Sequence, residues 1–196
     1  MSEHSERKSP LYRLLEPAVR DLQERAFEGQ LLLRGDGAGA FVSAVEAGCG
    51  IAPPLEPNTV ATAGTRRMAW LGPSEWLLTV PAGEEAALRA ALEAALAGQH
   101  AAVVDVTDGN TVIVLEGEDA TEILCGECPL DLHPRAFPVG RCAQTLLGKS
   151  NVMIVREAPD RFALLVRRSF APYVWTLLRH LAGQVRAAQS AMISRA

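Results

Sequence analysis

The chain has 196 residues and a formal charge of −4, from 19 basic and 23 acidic side chains. Hydrophobic residues make up 48% and charged residues 21%, a globular balance that excludes a disordered chain. With one short basic cluster, Arg167-Arg168, and only 5% aromatics, neither an electrostatic footprint nor a stacking platform for nucleic acid is present.

Residues 1–9 are predicted to be a polar tail. Leu14, Leu15 and Leu22 could share a helix, but Pro17 argues against a continuous one, and a strand near Ala18–Gln23 is expected instead. Leu31 to Arg34, closed by Gly35, reads as a buried strand, and an apolar-periodic helix follows over Ala40–Ala47. Pro54-Leu55 opens extended segments that end in a strand at Trp76-Leu77-Leu78. Glu84–Ala97 carries Leu88, Leu92 and Leu96 at spacing four, the stripe of an amphipathic helix.

Ala101–Val106 is expected to be a strand that joins two halves, because the pattern then repeats. Val112 to Glu116, closed by Gly117, matches Leu31 to Gly35, and Ala120–Leu124 matches the first helix. Cys49 and Cys128 each end such a stretch, and Pro54-Leu55 and Pro129-Leu130 follow. Val152–Val155 and Phe162–Val166 read as a hairpin, and Phe170–Leu181 as the closing helix. The reading is an α+β fold of two interlocked strand-helix-strands-helix halves with mainly antiparallel sheets, about 18–98 and 99–185. Together they form one duplicated domain over 10–185, with a loose tail at 186–196. Trp76 and Phe162 are expected at matching buried positions.

Chemistry-bearing motifs are sparse. Gly35-Asp36-Gly37-Ala38-Gly39 sits where a dinucleotide-binding turn would lie, but its spacing is wrong and the repeat has Glu118-Asp119 there; a turn with a helix cap accounts for both. Cys125-Gly126-Glu127-Cys128 follows a helix instead of opening one, where the helix dipole disfavours a thiolate. Zinc would need His133 and Cys142 as further ligands, so Cys49, Cys125, Cys128 and Cys142 are read as free buried thiols. His100 and His180 are expected near helix ends. Asp105 is either a strand base or an Asx-type tie to its own turn. Three prolines stiffen the segment from Pro129 to Pro138, either as a rigid binding loop or as a crossover between strands. No apolar run approaches the roughly 18 residues of a bilayer span, and Met1–Lys8 shows no secretory pattern. A cytoplasmic location without membrane contact is the expectation.

The segment Cys128-Pro129-Leu130-Asp131-Leu132-His133-Pro134-Arg135-Ala136-Phe137, then Gly140–Thr145 and Arg167–Ala171, resembles the gamma subunit of heterotetrameric sarcosine oxidase. Leu71–Leu78 and Asp105–Gly109 fit the same family. More distantly, Gly117–Ala120 and Asp160–Leu165 resemble the folate-binding domain of aminomethyltransferases, whose internal duplication suits the repeat. The resemblance implies an enzyme of alpha, beta, gamma and delta subunits that oxidises sarcosine to glycine, hydrogen peroxide and a one-carbon unit for tetrahydrofolate. It implies FAD, FMN and NAD with alpha and beta and zinc with delta, none of them held by this chain. Aminomethyltransferases carry an acidic pair where this chain has Gly148-Lys149-Ser150-Asn151-Val152, without a carboxylate. That departure disfavours a free-standing folate enzyme, and no Lys-Gly-Cys-Tyr run supports an iron–sulfur-assembly relative. The implied role is a non-catalytic structural subunit docking on alpha, with contact expected at Pro129, Leu130, Asp131, Leu132, His133, Pro134, Arg135 and Phe137.

Overall fold

The computed structural model describes residues 7–14 and 21–194. The first half runs β1 (Leu22–Arg25), β2 (Gly29–Arg34), α1 (Gly39–Cys49), β3 (Val60–Ala63), β4 (Arg66–Gly72), β5 (Glu75–Val80) and α2 (Glu85–Ala95). The second repeats it as β6 (Ala102–Asp105), β7 (Asn110–Glu116), α3 (Ala120–Cys125), β8 (Cys142–Leu147), β9 (Ser150–Ala158), β10 (Arg161–Arg167) and α4 (Ala171–Ile193). One sheet has the order β3-β4-β5-β2-β6 and the other β8-β9-β10-β7-β1, with every pairing antiparallel. The two orders are the same once each half's first strand is placed in the other half's sheet. β1 pairs with β7 and β6 with β2, so neither sheet is complete without the other half's strand.

The expected start strand therefore forms slightly later, at β1, and Leu15–Arg20 lie outside the described residues. Trp76 and Phe162 are both fully buried, each second in its strand and opposite Leu33 and Leu115. Two expectations about the ends need correction. In the N-terminal tail, Ser9 is buried and the Lys8 carbonyl accepts from Arg168 Nη2 (2.8 Å). At the other end, α4 continues to Ile193, because an alanine-rich stretch favours helix and its side chains find partners. Arg186 pairs with Asp21, and Gln189 Nε2 donates to Asp119 Oδ1 (2.7 Å). His180 consequently sits inside α4, with Gln184 one turn on.

The sheets stack face to face, with α1 and α2 covering one outer face and α3 and α4 the other. Strand alternation explains the unbroken apolar runs. Ile113 and Leu115 turn toward α3 and α4, while Val112 and Val114 enter the layer between the sheets. A strand buried on both faces needs apolar side chains at every position. Phe41, Val45 and Cys49 of α1 and Leu88 and Leu92 of α2 fill the opposite outer core.

One end of the inter-sheet layer is closed by charge. Arg25 Nη2 lies 2.8 Å from Glu157 Oε1, and Arg67 Nη2 lies 2.6 Å from Glu28 Oε1. Arg67 belongs to one sheet and Arg25 and Glu157 to the other, so these pairs tie the sheets together. Burial pushes the Glu157 carboxyl up, but bonds and charge from Arg25, with Arg67 and Arg161, together hold it below its ordinary value of 4.5. A carboxyl lowered in the folded state stabilises fully above its unfolded value and loses that contribution as the pH falls through the lowered one. Glu157→Gln should therefore narrow its stability gap from the parent chain as the pH drops below about 4.5. Urea midpoints measured from pH 7 to 3 check this; a pH-independent gap would contradict it.

Candidate partner interface

The segment between α3 and β8 holds the expected contact residues. Its prolines restrict the backbone, and Arg156 of β9 fastens it from beneath. The Arg156 side chain is buried and donates through Nη1 to the carbonyls of Leu132 (3.1 Å) and Phe137 (2.9 Å), and through Nε to Pro159 (3.1 Å). Its guanidinium also stacks 5.0 Å from the Phe162 ring centroid. Leu132 and Phe137 are buried in the chain's own core, so the expectation that they meet a partner is corrected. They are the segment's apolar anchors, and their carbonyls hold the arginine.

Pro129, Asp131, His133, Pro134 and Arg135 are exposed, and Leu130 is half-buried. Asp131 Oδ1 accepts the His133 N–H (2.9 Å), and His133 Nδ1 accepts the Arg135 N–H (3.2 Å). Two successive side-chain-to-backbone bonds fix this turn, leaving Arg135 on the surface. The segment thus crosses between elements and presents a rigid exposed ridge.

Beside the segment, at the end of the inter-sheet layer opposite the charge cluster, a groove of about 800 Å³ opens. Leu32, Leu71 and Leu77 line it from one sheet and Leu146, Met153 and Leu165 from the other. Asn110, Asn151 and Arg167 add polar groups, and Pro129 joins the groove to the loop. Among the described residues, no Asp or Glu lines it. Ser150 is buried and Asn151 takes the groove position in the stretch where aminomethyltransferases would supply acid. An amine linked to folate would find no counter-charge there, and no chemical step through folate follows from these residues.

The other motifs resolve locally. A Cβ on Gly35 would stand 2.2 Å from the Phe41 ring, so that glycine answers a packing constraint and not a phosphate. Neither Ala38 nor Asp119 supplies the expected helix cap; Asp36 Oδ1 instead accepts the Ala38 N–H (2.9 Å). Asp105 Oδ1 accepts the Thr107 N–H (2.9 Å), as the Asx-type reading requires, and hydrogen bonding from the Thr107 side chain, then from this N–H, lowers its pKa.

All four cysteines are free, but Cys125 is exposed, which corrects the expectation of four buried thiols. It ends α3 on the solvent side, whereas Cys128 enters the core. Burial pushes Cys142 up to about 11 and also raises Cys49. Among the described residues, no group of three or more His, Cys, Asp or Glu could hold a metal ion. A thiol reagent at neutral pH should modify one cysteine quickly and three only on unfolding. Loss of the fast phase in Cys125→Ser checks the assignment; a fast phase that survives would contradict it.

Residues 34–184 match the sarcosine oxidase gamma subunit family. The gamma subunit of sarcosine oxidase from Corynebacterium sp. strain U-96 is 36% identical over 154 residues, 78% of this chain and 74% of that protein. Its counterpart from Corynebacterium sp. strain P-1 is 35% identical over 179 residues, 86% of each. In the solved heterotetrameric sarcosine oxidase from Corynebacterium sp. U-96, in complex with pyrrole 2-carboxylate, one chain superposes with a TM-score of 0.82 at 31% identity. That match covers 91% of this chain and 95% of the other. Aminomethyltransferase T of the glycine cleavage system from Bartonella henselae shares the fold at a TM-score of 0.62 and 16% identity, over 80% of this chain and 44% of that one. The family match runs from the end of β2 into α4 and spans the proline-rich segment between α3 and β8, and the protein belongs to the sarcosine oxidase gamma subunit family.

Proposed function

We propose that this chain is a structural, non-catalytic gamma subunit that completes a heterotetrameric sarcosine oxidase in the cytoplasm. The observation that carries this reading is near-complete mutual coverage with a chain of such an oxidase, 91% and 95%. The reaction of the whole enzyme converts sarcosine to glycine, hydrogen peroxide and a one-carbon unit captured by tetrahydrofolate. FAD, FMN, NAD and zinc belong to the other subunits, which supply the chemistry while this chain supplies position. A groove lining without carboxylates among the described residues supports a scaffold role over folate chemistry.

The chain contacts the alpha subunit directly and shares the assembly with beta and delta. The exposed ridge Pro129, Asp131, His133, Pro134 and Arg135 forms part of that contact, since a pre-ordered loop loses little entropy on docking. Arg135→Ala in the co-expressed complex should weaken assembly by about 1–2 kcal/mol, the scale of an interface hot spot. Co-purification with alpha measures it, with circular dichroism as a check on folding. Undiminished assembly would move the contact elsewhere. Sarcosine turnover by the isolated chain would overturn the non-catalytic reading.

A further inference from the structure

β8 is an edge strand that, among the described residues, pairs with no strand but β9. The Cys142 N–H points away from β9, toward the Asn58 carbonyl (2.9 Å). By strand alternation, the N–H groups of Gln144 and Leu146 point the same way, and among the described residues no strand covers them. Leu146 is also 47% exposed, an apolar side chain left on an open edge. Natural sheets protect such edges with charge, proline or a covering element. Here Gln144, Thr145 and Leu146 carry none of these.

The groove explains what the edge is for. Gln144, Thr145 and Leu146 all line it, although successive side chains of a strand face opposite ways. A groove touched by all three runs along β8. Its far wall is the leucine set Leu32, Leu71 and Leu77 of the other sheet. Arg167 also lines it, and a smaller hollow sharing Arg167 is lined by Arg168 and Pro172. Among the described residues, no acidic side chain lines either space, in a chain whose net charge is negative.

We infer that the β8 edge and this groove accept an extended segment of another oxidase subunit by strand addition, a segment with apolar side chains and a carboxylate near Arg167. Its carbonyls take the Gln144 and Leu146 amides, and alternate apolar side chains fill the leucine-lined groove. The carboxylate answers the Arg167 guanidinium, beside which no described groove residue carries an acid. Pro129 makes this surface continuous with the exposed ridge. The inference rests on the chain being an oxidase subunit.

The test is amide hydrogen exchange within the assembled heterotetramer. The Gln144 and Leu146 amides should exchange at least ~100-fold more slowly than unpaired edge amides, because opening must first break their bonds. Leu146→Pro removes the outward N–H and the Leu146 side chain but no bond to β9, a substitution an edge strand accommodates. It should lower subunit co-purification about tenfold or more while the variant's circular dichroism stays unchanged. Assembled oxidase with rapid exchange at both amides would overturn the strand-addition proposal and leave the subunit reading standing. A parent chain that joins no oxidase subunit would defeat the subunit reading itself.

Discussion

Trp76→Ala should cost about 3–5 kcal/mol of folding free energy, the range for truncating a large buried aromatic. The indole is fully buried at the centre of the outer core covered by α1 and α2. It packs on Phe41 with ring centroids 5.2 Å apart. Its Nε1–H donates to the Pro54 carbonyl at 2.8 Å, so the substitution also strands a carbonyl that holds the connection after α1. Trp76→Phe keeps most of the ring volume and loses the bond, and should fall well short of the alanine cost. Chemical denaturation of both variants separates the two contributions. Equal losses would mean that the hydrogen bond, not ring volume, dominates.

Arg156→Met should cost about 2–5 kcal/mol, because it removes charge-assisted bonds and leaves carbonyls short of partners in a buried place. Leu132, Phe137 and Pro159 would all lose a donor. The effect should concentrate in the 129–138 segment, which these bonds fasten to β9. Limited proteolysis is expected to cut there first in the variant and elsewhere in the parent chain. Arg156→Lys should rescue poorly, since an ammonium cannot reproduce the planar fork that meets carbonyls on several sides. A variant with the parent's stability and cleavage pattern would show that the prolines alone hold the loop.

The duplicated architecture was legible because both halves use the same signals at nearly the same intervals. Leu31–Arg34 and Val112–Glu116 announce central strands, and Trp76 and Phe162 mark the next ones. The exchange of β1 and β6 was only hinted at, since a four-residue strand says nothing about which sheet it joins. β3, β4 and β8 were harder still. Their mixed burial leaves no clean alternation, and β8 carries polar and apolar residues on one exposed face. The proline-rich segment stood out in the sequence, but its division into anchors and exposed ridge was invisible. That division depends on Arg156, nineteen residues beyond Phe137 and separated from it by β8. The Arg25–Glu28–Arg67–Glu157 cluster was missed for the same reason: its members come together only when the sheets stack.

The central claim, that this chain completes a sarcosine oxidase, is met most directly by a mass measurement. The tagged chain is co-expressed with the alpha, beta and delta subunits and the purified product is analysed by native mass spectrometry. The account predicts a single dominant species containing one copy of each subunit, with sarcosine-dependent peroxide formation by that species. Recovery of the tagged chain alone, beside an active oxidase assembled without it, would contradict the claim.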